Sequence, residues 1–215
     1  MRRFFVTGTD TDVGKTRVAA AVARALAEAN HAVTIVKVVQ TGTRREEPGD
    51  AERAGTLAGV PVAELARFAK PADPWSAALA QRESPLRAED LARALDAISG
   101  AVIAEGAGGL LVPLNREQHL GTFAKLAGLE TIIAVGLRLG CINHALLTLE
   151  ACRDLGLAVA GIVLVDRWQT SPRDFVEDVS RPLQGKANIF GIVPFETDEL
   201  ASVRRAASFF VTLGT

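Results

Sequence analysis

Few cysteines and almost no net charge set the first limits on what this chain can be. Only two cysteines occur, Cys141 and Cys152, too few for a disulfide framework and not spaced as a metal-binding pair. The formal net charge is −1, with acidic and basic residues interspersed, so no overall field attracts nucleic acid or anionic lipid. We therefore expect no nucleic-acid partner and no membrane partner, and any phosphate must be recognised locally.

Long apolar runs are missing as well. No run reaches the length of a membrane span, and the brief apolar run after Arg2 and Arg3 is interrupted by Thr7 and Gly8, which argues against a secretory signal. We expect a cytoplasmic protein whose cysteines stay reduced. With 48% hydrophobic residues, a chain of 215 residues can bury one sizeable core, and we expect a single domain over residues 1–215.

The N-terminal stretch RFFVTGTDTDVGKTR, residues 3–17, has the shape of a phosphate loop. A short apolar strand runs into a glycine-bounded polar loop, and an alanine-rich helix starts near Gly14. Backbone N–H groups around Gly14, Lys15 and Thr16 would face a phosphate, with the positive end of the helix behind them. The Lys15 ammonium would reach the outer phosphates, and the Thr16 hydroxyl would bind the magnesium that accompanies ATP.

The match to the phosphate-loop pattern GxxxxGK[ST] is incomplete. Gly8 lies one residue too early, and Thr9 occupies the position that the pattern reserves for glycine. An ordinary glycine-containing turn before a helix is the alternative interpretation. The strand before the loop and the amphipathic helix after it favour phosphate binding.

Strand-like and helix-like segments alternate along the chain. Apolar runs predict strands at 4–7, 31–39, 101–109, 131–137, 158–165 and 188–193, and helices are predicted at 15–28, 86–98, 143–155 and 172–183. Residues 41–76 carry many glycines and prolines and are predicted to be irregular. Strands that are apolar on both faces and separated by helices predict an α/β fold, a P-loop NTPase-like parallel sheet with helices on both faces.

Ligands of such sheets bind at the carboxyl ends of the strands, so the residues there are candidates for chemistry. Glu105 closes an apolar strand and is either a metal ligand or a solvated carboxylate; we favour the ligand. Lys37 needs an anionic partner unless it reaches solvent at a sheet edge. Asp50 is either a helix N-cap or a second ligand, and the pattern alone favours the cap. The other strand-end candidates are Asp10, Asp12, Gln40, Thr41, Arg138, Gly140, Asn143, Asp166, Pro194 and Glu196.

Four segments together resemble one family. They are GTDTDVGKT at 8–16, KVVQTG at 37–42, AEGAGGLLVPL at 104–114 and GLRLGCINHALLT at 136–148. Their order and spacing are similar to dethiobiotin synthetase, the ATP-dependent carboxylase of biotin synthesis, and the resemblance extends to about residue 165.

The resemblance implies a reaction and a set of roles. Diaminopelargonic acid would take up CO2, supplied as CO2 or bicarbonate, as a carbamate, which ATP phosphorylates before the second amine closes the ureido ring. By resemblance, Lys37, Lys15 and Thr41 are catalytic. Magnesium would be held by Thr16, Asp50 and Glu105, which raises Asp50 from cap to ligand. Substrate would contact Asp12, Lys37, Thr41, Gly140, Cys141 and Asn143.

The nucleotide site and the assembly follow from the same resemblance. The substrate's distant carboxylate would come from a neighbouring subunit to the amides that open the helix near Gly140, which implies a homodimer with sites at the interface. Pattern alone favours packing or capping for His144 and Cys141. Nucleotide-binding residues would be Asp12, Val13, Gly14, Lys15, Thr16, Arg17, Glu105, Gly108, Val165, Asp166, Pro194 and Glu196.

The chain departs from the family pattern at four points. The family's KPV is Lys-Val-Val at 37–39, and its SPH is Asp-Pro-Trp at 73–75. Val165 aligns with an asparagine that reads adenine in the family, which removes a donor and an acceptor. Tyrosine is absent, so Phe175 or Trp168 would replace any aromatic hydroxyl near the substrate.

Two other classes remain as alternatives. Partitioning or cell-division ATPases act as nucleotide-dependent dimer switches and carry a second lysine early in the phosphate loop, where this chain has Asp10. Synthetase domains of cobyrinate amidases are normally joined to a glutaminase domain, for which 215 residues leave no room. The tail at 202–214 is predicted to be a terminal helix packed on the sheet and not a membrane-binding helix.

Overall fold

The structure is a computed structural model that describes residues 2–44, 46–166, 173–194 and 196–214. Its strands are β1 (Arg3–Gly8), β2 (Val33–Lys37), β3 (Gln40–Thr41), β4 (Val62–Glu64), β5 (Arg67–Phe68), β6 (Ala101–Gly109), β7 (Glu130–Gly136), β8 (Val159–Val165) and β9 (Ile189–Val193). Its helices are α1 (Lys15–Glu28), α2 (Asp50–Ala58), α3 (Pro74–Ala80), α4 (Ala88–Asp96), α5 (Leu120–Leu126), α6 (Cys141–Leu155), α7 (Arg173–Leu183), α8 (Glu199–Ala207) and α9 (Val211–Gly214).

Seven strands form one parallel sheet in the order β4-β2-β6-β1-β7-β8-β9. The strand that carries the phosphate loop, β1, lies between β6 and β7. In the paired register, Lys37 of β2 lies beside Glu105 of β6, and Glu105 lies beside Val6 of β1. Parallel strands end at one edge, so this order brings three predicted strand ends together.

Helices cover both faces of the sheet, as predicted. Adjacent residues of a strand point to opposite faces, so Phe4 and Phe5 of β1 belong to different hydrophobic clusters. The cluster around Phe4 contains buried residues of α1, α2 and α8, and the cluster around Phe5 contains buried residues of α3 to α7. The α/β parallel-sheet prediction is confirmed.

The prediction that residues 41–76 are irregular was wrong. They contain β3, α2, β4, β5 and the start of α3. Several of the glycines and prolines lie at the ends of short elements, although Gly55 is buried inside α2. Gly49 precedes α2, Gly59 ends it with φ 74°, and Pro74 is in the first turn of α3 behind the N-cap Asp73.

Smaller boundary errors have similar causes. The predicted strand at 31–39 is shorter, because β2 ends at Lys37 and the chain then enters the two-stranded parallel sheet of β3 and β5. The tail begins its helix earlier than predicted, at Glu199, and continues through a 3-10 turn at Ser208–Phe210 into α9. The tail packs on the sheet as predicted, because the buried Phe210 ring lies 5.0 Å from that of Phe190 in β9. Across the described residues, no helix is both long and apolar enough to cross a membrane.

Candidate functional site

The loop between β1 and α1 curls tightly at two glycines. A Cβ on Gly8 would lie 2.6 Å from Val13 Cγ2, and one on Gly14 would lie 2.7 Å from Val165 Cγ1. Gly14 also has φ 95°, a region that favours glycine. Thr9, which stands where the pattern expects glycine, donates its N–H to the Ala134 carbonyl of β7 at 3.0 Å. The chain therefore stays paired with the sheet through Thr9, and the close approach is made at Gly8.

Lys15, the first residue of α1, lies inside this loop. Its Nζ donates to the Asp10 carbonyl at 2.9 Å, and the residue is buried. Burial, aided by repulsion from the nearby Lys37, lowers the pKa of Lys15 from 10.5 to about 8. The backbone N–H groups of the first helical turn have no partner within α1. The loop thus presents a cation and free donors that an anion would stabilise.

Lys37 is at the centre of the site. Its Nζ donates to Glu105 Oε1 at 2.8 Å, to Asp50 Oδ2 at 2.6 Å and to the Gly106 carbonyl at 3.0 Å. The residue is 2% exposed, which rules out the alternative that it reaches solvent at a sheet edge. Burial alone would lower the pKa of Lys37, but attraction to Glu105 and Asp50 outweighs it and raises the pKa. Lys37 is therefore a charged lysine with all three protons engaged.

Two carboxylates and a hydroxyl around Lys37 form a donor set suited to magnesium. Thr16 Oγ1 donates to Glu105 Oε1 at 3.0 Å, while Glu105 Oε2 is buried without a hydrogen-bond partner. A buried carboxylate oxygen without a partner is unfavourable, and a cation would satisfy it. Mg²⁺ usually takes one or two carboxylates and fills its other positions with water and phosphate. Among the described residues, no three His, Cys, Asp or Glu side chains form a metal cluster.

Asp50 is the first residue of α2 and not its N-cap. Gly49 holds the cap position, and its N–H donates to Glu52 Oε2 at 2.9 Å. The interpretation that the sequence pattern alone favoured was therefore wrong. The Asp50 side chain is 40% exposed and faces Lys37, so it can accept a second partner.

These groups line a cavity of about 290 Å³. Ten predicted site residues contribute to its wall: Asp12, Gly14, Lys15, Thr16, Arg17, Lys37, Thr41, Asp50, Glu105 and Gly108. Asp12 has φ 58°, an unusual conformation for a residue other than glycine. Gln40, predicted as a strand-end candidate without an assigned role, also lines the cavity, and the lining residues that were not predicted are Thr11, Val39, Arg53, Ala107 and Glu199.

Arg53 and Glu199 close one side of the cavity and were not predicted. Arg17 Nη2 donates to Glu199 Oε1 at 2.8 Å, and Arg53 Nε donates to Glu199 Oε2 at 3.0 Å. Partial burial favours the neutral acid, but hydrogen bonds from Arg53 and Arg17 outweigh it and lower the pKa of Glu199. Arg53 lies one helical turn after Asp50 and so on the same side of α2. That spacing could have indicated Arg53 only if the sequence analysis had predicted α2. Glu199 reaches the site only because α8 packs beside α1.

Several predicted nucleotide residues do not line this cavity. Val13 and Val165 are fully buried, and Val165 packs beneath Gly14, where an aliphatic side chain offers no hydrogen bond to a base. The Asp166 N–H donates to the Val193 carbonyl at 2.9 Å, next to Pro194. Glu196 pairs with Arg205 at 3.0 Å. Val165, Asp166, Pro194 and Glu196 lie at or just beyond the ends of β8 and β9, as predicted, and Val13 lies in the loop after β1.

The predicted substrate loop before α6 lies outside the cavity wall and is tied to the phosphate loop. Arg138 Nη2 donates to Asp10 Oδ2 at 2.5 Å. Gly140 is the N-cap of α6 with φ 91°, Asn143 is exposed, and Cys141 is buried and free. The neighbouring Leu139 is 91% exposed. Cys141 therefore packs in the core, as its pattern indicated.

Of the two aromatic replacements for tyrosine, Phe175 packs against the core from α7, and Trp168 lies outside the described residues. Trp75 is in the first turn of α3 and is the last residue of the segment that replaces the family's SPH. Neither Phe175 nor Trp75 lines the cavity.

Comparisons with known proteins identify close relatives in sequence. Residues 2–201 match the AAA_26 family model, described as an AAA domain. An ATP-dependent dethiobiotin synthetase BioD of Anaeromyxobacter dehalogenans (strain 2CP-C) is 44% identical, with 85% of this chain and 82% of that protein covered. One of Rhodococcus jostii (strain RHA1) is 39% identical, with 94% and 90% covered.

Solved structures with the same fold are more distant. The cell division ATPase MinD of Pyrococcus furiosus has a TM-score of 0.59 at 19% identity, covering 100% of this chain and 97% of its own. A plasmid partition protein of Borrelia burgdorferi B31, bound to AMPPNP, has a TM-score of 0.63 at 11% identity, with 98% of each chain covered. At these identities the likeness establishes the fold alone.

Proposed function

Since the chain belongs to the AAA_26 family and to the ATP-dependent dethiobiotin synthetases within it, we propose that it carboxylates diaminopelargonic acid and closes the ureido ring with ATP and magnesium. It is a cyclo-ligase of biotin synthesis and acts in the cytoplasm. The observation that carries the proposal is the Lys37–Asp50–Glu105 cluster, which shares one cavity with Lys15 of the phosphate loop.

The reaction moves negative charge through several groups that the site must stabilise. One amine of the substrate attacks CO2 and loses a proton, leaving a carbamate. A carbamate oxygen then attacks the γ-phosphorus of ATP, and ADP leaves. The second amine attacks the carbamate carbon and loses a proton, and phosphate leaves as the ring closes. Carbamate, phosphoryl group and phosphate are all anionic, so catalysis depends mainly on positioning and on charge stabilisation.

The two lysines divide this task by position. The Lys15 ammonium, next to the first-turn N–H groups of α1, stabilises the phosphates. Lys37 stabilises the carbamate, because it can exchange its bond to the half-exposed Asp50 for one to the carbamate while keeping Glu105. Thr41, on the same cavity wall, hydrogen-bonds the carbamate or an amine. Thr16, Asp50 and Glu105 would hold Mg²⁺, which neutralises phosphate charge when bound.

We further propose a homodimer in which the α6 surface is buried. Leu139, just before α6, is 91% exposed and Leu147 of α6 is 60% exposed, so two large apolar side chains in this region face solvent in the single chain. Gly140 and Asn143 lie beside Leu139 and outside the cavity wall of their own chain. This placement supports a role toward a substrate bound across the interface. Sedimentation analysis of the wild type and of Leu139→Asp tests it, and a monomeric wild type would contradict it.

The function is tested by phosphate release from ATP and magnesium, with and without diaminopelargonic acid and bicarbonate. We expect release to require both co-substrates and dethiobiotin to be detected by mass. Parallel reactions with GTP and CTP measure how much base selectivity remains with Val165 in the core. Lys125→Gln, at an exposed position of α5, is a control for Lys37→Gln. Release that ignores both co-substrates would contradict the proposal and favour a partitioning-type ATPase.

A further inference from the structure

Arg67 of β5 lies outside the cavity wall and has an unusual number of partners for a single side chain. Its guanidinium binds the Glu64 carboxylate through two hydrogen bonds, Nε to Oε1 at 2.7 Å and Nη2 to Oε2 at 2.8 Å. Nη1 donates to the carbonyls of Arg44 at 2.8 Å and Glu47 at 2.7 Å. The side chain is 11% exposed. A planar fork of donors is needed to meet these acceptors at once.

The two carbonyls belong to the loop before α2, described at residues 42–44 and 46–49. Arg67 therefore anchors this loop through its backbone. The loop's last residue, Gly49, packs closely against the same guanidinium, since a Cβ at this position would lie only 2.8 Å from Arg67 Nη2. Arg67 Nη2 also lies 3.4 Å from an oxygen of Glu52, whose other oxygen accepts the Gly49 N–H.

Asp50 follows Gly49 directly, so the anchored loop sets its position. The Asp50 N–H donates to Gln40 Oε1 at 2.9 Å, while its carboxylate reaches Lys37. Gln40 pairs with Arg67 in the two-stranded sheet, and Thr41 pairs with Phe68. The two-stranded sheet of β3 and β5 carries Thr41, and through Arg67 it also holds the loop that leads to Asp50.

We propose that Arg67 is a positioning residue, whose guanidinium fixes the loop before α2 and thereby the place of the Asp50 carboxylate relative to Lys37 and Glu105. This inference rests on the proposed function, in which Asp50 is one of the residues that would hold the magnesium bound with the nucleotide. A lysine at position 67 keeps the charge but places its three donors on a single nitrogen, so it cannot reproduce the two parallel bonds to Glu64 together with the bonds to both carbonyls.

The test is the affinity of folded protein for Mn²⁺ in the presence of ADP, measured from free Mn²⁺ by electron paramagnetic resonance. We expect Arg67→Gln to weaken Mn²⁺ binding by about 10- to 100-fold, as losses of groups that orient ligands typically do. Arg67→Lys should be weakened similarly despite its charge. Arg93→Gln is the matched control, because Arg93 is exposed on α4 and pairs with Asp90 of the same helix.

A second readout separates positioning from a loss of stability. The magnesium concentration for half-maximal turnover should rise in both Arg67 variants, and kcat should recover at saturating magnesium. If Arg67→Gln does not fold, Arg67→Lys and Glu64→Gln carry the test. Folded variants that bind Mn²⁺ as tightly as the wild type would overturn the proposal. Because Mn²⁺ binding needs no co-substrate, the result stands even if no dethiobiotin is formed.

Discussion

Replacing Lys37 with methionine is the sharpest test of the charge arrangement in this site. The substitution keeps an unbranched apolar side chain, one heavy atom shorter, and removes the three N–H donors to Glu105, Asp50 and Gly106. Two carboxylates are then left facing each other, and Glu105 is 1% exposed. The folded protein must bear an unpaired buried charge that the unfolded chain exposes to water.

The expected loss can be estimated from comparable buried pairs. Removing one partner of a buried ion pair destabilises by about 3–5 kcal/mol. The Asp50 side chain is 40% exposed, so water replaces part of its lost partner and the lower end, about 3 kcal/mol, applies. For a chain of this size, 1 kcal/mol shifts Tm by about 2–4 °C. We therefore expect Tm to fall by about 6–12 °C.

The sign of the pH dependence follows from the raised pKa of Lys37 in the wild type. A raised folded-state pKa contributes stability that is fully present below the unfolded value of 10.5. That contribution is lost as pH rises through the folded pKa. The Tm difference between wild type and Lys37→Met should therefore be constant near neutral pH and shrink only in strongly alkaline solution.

Thermal unfolding of both proteins, with and without excess MgCl2, is the assay. Magnesium should raise the Tm of Lys37→Met by more than it raises the Tm of the wild type, because a cation can replace the lost charge between Glu105 and Asp50. Lys125→Met, at an exposed position, controls for loss of a lysine.

Lys37→Gln should abolish turnover and leave nucleotide binding largely intact. A Lys37→Met protein as heat-stable as the wild type, or near-normal turnover by Lys37→Gln, would refute the reasoning.

Three further predictions concern the walls of the cavity. Because the pKa of Lys15 is lowered to about 8, nucleotide binding at pH 8 should take up about half a proton, which calorimetry in two buffers measures and Lys15→Met should abolish. Glu199→Gln leaves Arg53 without its charged partner, so equilibrium binding should show nucleotide affinity reduced by several-fold; unchanged affinity would mean that this wall does not touch the nucleotide. Gly14→Ala should prevent nucleotide binding, because its Cβ meets Val165 at 2.7 Å, and partial rescue by a smaller side chain at 165 would identify that contact as the cause.

Physical reasoning from the sequence predicted the central strand with its loop, and it predicted Lys37 and Glu105 of the charge cluster but not Asp50. Apolar runs and the GKT motif located β1 and its loop, because neither depends on distant parts of the chain. Because parallel strands end at one edge of a sheet, the sequence also predicted that Lys37 and Glu105 lie at the same edge, and in the structure they are neighbours in the register of β2 and β6. The family resemblance, confirmed by the relatives, supplied Asp50, whose helix the pattern had missed.

What sequence could not predict depends on packing between separate elements. Glycine and proline in the segment after β2 are typical of irregular chain, whereas Gly49, Gly59 and Pro74 begin or end short helices in the structure. Arg53, Arg67 and Glu199 lie on elements whose positions follow from that packing. Val165 is similar: alignment placed it at a base-reading position, whereas the fold buries its side chain beneath Gly14.

The central place of β1 in the sheet has a consequence for how the chain folds. In the register with β6, Arg3 lies beside Val102, roughly a hundred residues away in sequence, and the pairing with β7 spans a still longer segment. Such non-local pairing slows folding, because a long loop must close before the contacts form. During synthesis the first strand emerges long before either neighbour. Its apolar residues therefore wait unpaired until β6 and β7 are made, and fragments that end before β6 are expected to aggregate.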